Sequence, residues 1–205
     1  LKYLNIRKLY GGANLSPDIV NDWINAIKTS NLERISEIIN QNEFNLNLLI
    51  NIPTHDGITA LMLAAINGNW QSILLLLDMG ANIDRQDNQG KTALMYAALN
   101  GRPRVIEALM HREANIDMQD NDGMTALMYA ARNGHVKSVR SLISSEADIK
   151  LENNNQQLAR DLADLNNHRL VSFIIDLAET GDVESNTSES EYESDEEDEE
   201  MLNVD

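Results

Sequence analysis

Gly57-Ile58-Thr59-Ala60-Leu61-Met62 returns as Gly90-Lys91-Thr92-Ala93-Leu94-Met95 and again as Gly123-Met124-Thr125-Ala126-Leu127-Met128, 33 residues apart each time. The same step carries Ala64-Ala65 to Ala97-Ala98 and Ala130-Ala131, and Asn67-Gly68 to Asn100-Gly101 and Asn133-Gly134. The units close on Ala81-Asn82-Ile83-Asp84, Ala114-Asn115-Ile116-Asp117 and Ala147-Asp148-Ile149-Lys150. This much agreement in one register defines a tandem repeat, and a period of this length points to stacked supersecondary units.

Each unit has a physical logic. Thr59, Thr92 and Thr125 precede an apolar helical run, where a hydroxyl caps free backbone N–H groups. The first helix carries Leu61, Ala64 and Ala65, whose small side chains let a neighbouring helix approach closely. Asn-Gly then supplies a positive-φ turn. The second helix repeats an i, i+3, i+4 stripe: Ile73, Leu76, Leu77; Ile106, Leu109, Met110; Val139, Leu142, Ile143. Pro103 falls in the first turn, where its missing N–H costs little. A helix–turn–helix followed by an extended loop cannot bury its own apolar face and must stack on copies of itself.

The pattern resembles the ankyrin repeat, in the variant with Thr-Ala-Leu-Met at the helix start, over about residues 18–178 and most strongly over 54–152. The resemblance implies an all-α solenoid with hairpin-like loops. Two features depart from it. Met62, Met95 and Met128 replace the family's usual His, so the Thr–His hydrogen bond is missing and thioether packing has to compensate. Glu113 and Glu146 stand where Gly80 supplies a left-handed residue, each at a cost of about 1 kcal/mol if that conformation is kept. The organisation expected is an N-terminal segment 1–17, a degenerate repeat 18–53, repeats 54–86, 87–119 and 120–152, a capping repeat 153–180, and a tail 181–205. The degenerate first unit carries Trp23, Ala26, Ile27, Leu32, Ile35, Ile38 and Ile39, then a longer loop from Asn47 to Pro53. The last carries Ala159, Leu162 and Ala163, then Val171, Ile174 and Ile175, with Gln156 for the turn glycine and Arg160 for the core Leu. Gly12-Ala13-Asn14-Leu15 echoes the end of an earlier repeat, which together with a first residue that is not Met leaves a longer array open.

The net charge of −17 is unevenly spread. Glu179 to Asp205 holds 13 acidic residues and no basic one, so the remainder sets 20 acids against all 16 bases, a net of −4. No basic surplus serves nucleic acid. The tail's Ser/Glu/Asp composition is that of a disordered segment, and Ser188, Ser190 and Ser194, each with an acid three residues on, are candidate phosphorylation sites. There is no cysteine, hence no disulfide, thiolate metal site or thiol nucleophile. Ile73–Leu77 is too short an apolar run to span a bilayer, and no secretory signal stands out, so the expected location is intracellular, in the cytoplasm or the nucleus.

A search for chemistry returns nothing. His55, His111, His135 and His168 form no metal-ligand spacing, and no nucleophile elbow, phosphate loop or dinucleotide fingerprint occurs. The run Asp117 to Gly123 imitates a calcium loop, but in register with Gly123 the first and twelfth ligands would be Met118 and Tyr129. It reads as a repeat tip; His135 reads as an exposed turn residue, and Tyr96 and Tyr129 as packing residues. No catalysis, cofactor, metal or small-molecule substrate is expected.

Function is then expected from the surface. What the resemblance implies is a protein partner lying against the hairpin tips and first helices, the concave side. Carried over, those positions are His55, Asp56, Ile58, Ile66 and Asn67; Asn88, Gln89, Lys91, Leu99 and Asn100; and Asn121, Asp122, Met124, Arg132 and Asn133. Ile58, Met124, Ile66 and Leu99 are apolar where exposure is expected, suggesting a hydrophobic centre flanked by Lys91 and Arg132 that takes an apolar or mildly acidic peptide. Trp70 reads as packing. The main expectation is a non-catalytic adaptor or scaffold. The alternatives are a regulatory or inhibitory subunit whose acidic tail competes for a basic partner, and the targeting part of a larger enzyme.

Overall fold

The computed structural model describes residues 17–41 and 46–180. The echo at Gly12, the serines at 188, 190 and 194, and the acidic tail lie outside the described residues. Among the described residues every regular element is a helix. α1 (Pro17–Lys28) and α2 (Leu32–Gln41) make the first pair, and α3 (Leu46–Asn51) is a short insertion. The next pairs are α4 (Ala60–Asn67) with α5 (Trp70–Asp78), α6 (Ala93–Leu99) with α7 (Pro103–Met110), and α8 (Ala126–Arg132) with α9 (Val136–Ser144). α10 (Ala159–Leu165) with α11 (Arg169–Thr180) closes the series.

The helices stand in two rows. α1, α4, α6, α8 and α10 pack successively on one another, as do α5, α7, α9 and α11. Inner helices this short are marginal alone, so packing has to hold them. Leu61, Leu94 and Leu127 are buried between units, and Ala64, Ala65, Ala97, Ala98, Ala130 and Ala131 are fully enclosed. A larger side chain at the alanine positions would push the rows apart.

The methionine of each helix start does more than the packing expected of it. Thr59 Oγ1 accepts from the Met62 N–H at 3.3 Å, while Met62 Sδ accepts from the Thr59 N–H at 3.4 Å. The same reciprocal pair joins Thr92 to Met95 and Thr125 to Met128. It is a capping box in which a thioether stands where Glu or Gln normally accepts. Sulfur is a weak acceptor, but all three methionines are buried, so it spares an N–H that water cannot reach.

Glu113 and Glu146 do take the left-handed conformation, at φ 61° and 67°, as Gly80 does at 87°. The expected loop from Asn47 to Pro53 instead contains α3. Its Leu49 and Ile50 are buried, so an apolar run there finds core to enter. Asn51 ends it by donating to the Gly80 carbonyl at 3.1 Å and accepting from the Asn82 N–H at 2.9 Å. In the last unit Arg160 occupies the column of Leu61, Leu94 and Leu127, and it pairs with Asp176 at 2.9 Å, leaving a polar end face. Leu158 has no hydroxyl for capping. Asp161 stands in the column of Met62, Met95 and Met128 and makes the bond their sulfurs make, accepting from the Leu158 N–H at 2.9 Å, while the hydroxyl half of the box is missing.

Candidate functional site

The tips between units form a ladder. Each is a tight turn: Asp87 N–H donates to the Lys91 carbonyl at 3.0 Å, and Asp120 N–H to that of Met124 at 3.1 Å. Neighbouring tips are bonded through backbone, Asn88 N–H to the Asp56 carbonyl and Asn121 N–H to the Gln89 carbonyl. Side chains repeat the link: Asn88 Nδ2 donates to the His55 carbonyl at 3.0 Å, and Asn121 Nδ2 to the Asn88 carbonyl at 3.2 Å. Gln86 and Gln119 each donate across the next gap, to the carbonyls of Gln119 and Glu152. The approach is so close that a Cβ on Gly90 would lie 2.8 Å from the Asn121 nitrogen. Only glycine fits there.

Behind the tips sit two buried carboxylates. Asp87 Oδ1 accepts from the Gln89 and Lys91 N–H groups at 2.8 and 2.9 Å, and its Oδ2 accepts from Tyr96 Oη at 2.7 Å. Asp120 repeats this with the N–H groups of Asp122 and Met124 and with Tyr129 Oη. Both phenols are held well above their usual range, first by burial and then by the adjacent carboxylate. The flanking units change both partners together. Thr54 stands with Leu63, and Asn153, which accepts from the Asn155 and Gln157 N–H groups, stands with Leu162. A carboxylate is present where a phenol can donate to it, and absent where Leu cannot.

Two cations cover the second of these tyrosines. Lys91 Nζ lies 5.7 Å and Arg132 Cζ 5.1 Å from the centroid of the Tyr129 ring. Tyr129 itself is buried, so its face orients the two cations and their outer sides meet solvent.

A family model described as ankyrin repeats (three copies) matches residues 23–120 and 103–187. The chain belongs to the ankyrin-repeat family. No curated protein sequence gave a match. Ankyrin repeats are in general protein–protein interaction modules. No helix among the described residues is long and apolar enough to cross a membrane.

The structure distributes the fifteen expected ankyrin face residues unevenly. His55, Asp56, Asn88, Gln89, Asn121 and Asp122 line the exposed tips, although the amides of Asn88 and Asn121 are engaged in the ladder. Asn100 and Asn133 donate to the carbonyls of Tyr96 and Tyr129 at 2.8 Å, closing their helices, and Asn67 donates to the Lys28 carbonyl at 3.0 Å. The expected exposure of Met124 is overturned. It is 5% accessible, covered by the next unit, whose Asn153 amide lies 3.4 Å from its sulfur. Ile58, Ile66 and Leu99 are half-buried rather than free, and Ile58 and Leu99 pack against the core. The hydrophobic centre is therefore thinner than the sequence suggests. Lys91 and Arg132, by contrast, are brought together on one ring.

Other residues escaped sequence reading. Leu165, 33 positions after Arg132, continues the column Ile66, Leu99, Arg132 and is 66% exposed. The repeat step itself could have found it. The Asp–Tyr pairs were also visible as columns, but a carboxylate near a tip reads as a turn former until its phenol is placed. His135 is not an exposed turn residue: it is half-buried, its Nε2 lies 3.1 Å from the Leu99 carbonyl, and its ring covers Gly101. Arg102 reaches the Ile66 carbonyl in the same way one unit earlier. The imitation calcium loop is accounted for, since Asp117 accepts from the Asp148 N–H and Asp120 serves its own turn and Tyr129. Trp70 is 36% exposed at the start of α5.

Proposed function

We propose that this chain is a non-catalytic adaptor that takes an apolar, mildly acidic segment of a partner protein across its tips and inner helices. The observation that carries the reading is the convergence of Lys91 and Arg132 on Tyr129 at the middle of the stack. Arginine and tyrosine are the side chains that most often dominate protein interfaces, and a cation held in place by a ring loses less freedom on binding. Leu99 and Leu165 flank Arg132 in the same column and give the partner apolar contact on either side. Carboxylates of the partner would pair with these cations, and its apolar side chains would rest on the leucines.

The test is a two-residue charge reversal, Lys91→Glu with Arg132→Glu. Binding to an immobilised peptide array of varied charge and apolar content is compared with wild type, with circular dichroism confirming an intact fold. The expected outcome is loss of the acidic–apolar peptides bound by wild type, at least tenfold in affinity, or about 1.4 kcal/mol. An unchanged binding profile overturns the assignment of this face.

A further inference from the structure

The outer row bears a second surface that the ladder and inner helices do not involve. Gln71, Arg104, Lys137 and Leu170 fall in one column of the repeat, and Leu74, Glu107, Arg140 and Phe173 in another. From α7 to α11 this brings Arg104, Lys137, Arg140 and Arg169 to the exposed side, beside Leu170 and Phe173, which are 44% and 56% exposed. The side chains of Arg104, Arg140 and Arg169 make no ion pair or hydrogen bond among the described residues. Glu107, the acid among them, faces Ser141 Oγ at 3.3 Å. The concave cations are differently placed: Lys91 and Arg132 lie over Tyr129, whose surroundings already include Asp120 and Asp122.

We propose that this cationic and apolar patch docks the acidic segment 181–205 of the same chain. The segment follows directly on Thr180, the last residue of α11, and α11 itself carries Arg169, Leu170 and Phe173. It holds 12 acidic residues and no basic one, and Met201, Leu202 and Val204 give it apolar side chains to set against Leu170 and Phe173. Its reach is ample. Extended, 25 residues span up to about 80 Å, whereas three neighbouring helices cover about 20 Å. A tether of that kind supplies an effective concentration in the millimolar range, enough for individually weak surface contacts. The concave face is a poorer site for the same segment, because its two cations already have acidic neighbours. This inference is independent of the partner assigned to the concave face.

The sequence offers a clean test because it contains no cysteine. Ser194→Cys in the full chain takes a single nitroxide label, and paramagnetic broadening of backbone amides is read along the stack. At low salt the amides around Arg104, Arg140 and Phe173 should lose more than half their intensity. They should recover it at about 0.5 M salt, where the Debye length is about 4 Å, and in the triple variant Arg104→Glu, Arg140→Glu, Arg169→Glu. A second variant approaches the contact from the other side and keeps the test open should the triple variant misfold: Glu196, Glu197, Glu199 and Glu200 all to Gln, which should also restore the signals. Absent or uniform broadening, or broadening centred on the tips, overturns the proposal. So does broadening seen only when label and isotope are on different molecules, which would assign the patch to a second copy.

Discussion

Replacing Gly90 by Ala should be among the most damaging single-methyl changes in this protein, and Gly80→Ala provides its control. Both glycines are left-handed, at φ 81° and 87°. That conformation costs an alanine about 1 kcal/mol at either position, and the surroundings then separate them. A Cβ at Gly80 meets nothing within 4 Å, whereas at Gly90 it lies 2.7 Å from Asn121 Oδ1 and 2.8 Å from Asn121 N. Relief requires the neighbouring tip to move, which adds about 1–3 kcal/mol of overpacking. It also strains two bonds, Asn121 N–H to the Gln89 carbonyl and Asn121 Nδ2 to the Asn88 carbonyl, each worth about 1 kcal/mol. Alanine stiffens the unfolded chain and returns about 0.5 kcal/mol. The net is roughly 3–5 kcal/mol for Gly90→Ala against roughly 1 kcal/mol or less for Gly80→Ala.

Urea unfolding followed by circular dichroism reads the difference. With a slope of about 2 kcal/mol/M, Gly90→Ala should lower the midpoint by about 2 M. Because the displaced contact couples two units, the transition should also broaden as the halves of the stack separate. Equal losses for the two variants, or a Gly90→Ala loss below about 1 kcal/mol, would refute the argument that inter-tip contact rather than φ dictates glycine here.

Three further outcomes follow from single features. Ser138 is buried with its hydroxyl unpaired, in a repeat column where Val105 and Val171 are also buried, so Ser138→Val should raise stability by about 1 kcal/mol in the same unfolding assay. Glu146→Gly should relieve left-handed strain and gain up to about 1 kcal/mol, whereas Ser144→Gly in the neighbouring helix should lose stability. Tyr96 and Tyr129 have raised folded-state values, so the stability they contribute is complete below the unfolded tyrosine value of about 10 and is lost as pH rises above it. Absorbance titration should therefore show two of the five tyrosines ionising only as the fold is lost, and Tyr129→Phe should leave one.

The repeat register, the capping threonines, the paired helices and the left-handed Glu113 and Glu146 were all legible because each is a local requirement written at a fixed step. Exposure was less legible. Met124 shares a column with Lys91, and nothing local says that one side chain runs outward while the next unit closes over the other. Asn88 and Asn121 vary less than a binding position should, and their amides bridge tips 33 residues apart, a pairing that only stacking creates. The loop around Leu49 became α3 for a similar reason, since Leu49 and Ile50 are buried in the folded stack and Asn51 bonds Gly80 and Asn82, 29 and 31 residues on.

The sequence by itself determined the solenoid and its period, because a unit with one apolar stripe per helix has no stable arrangement except on its own copies. The tertiary structure decided which side chains remain for a partner. Burial and hydrogen bonding across adjacent units depend on distances between residues far apart in the chain, and these placed Lys91 and Arg132 on one ring, buried Met124, and left Leu165 in solvent.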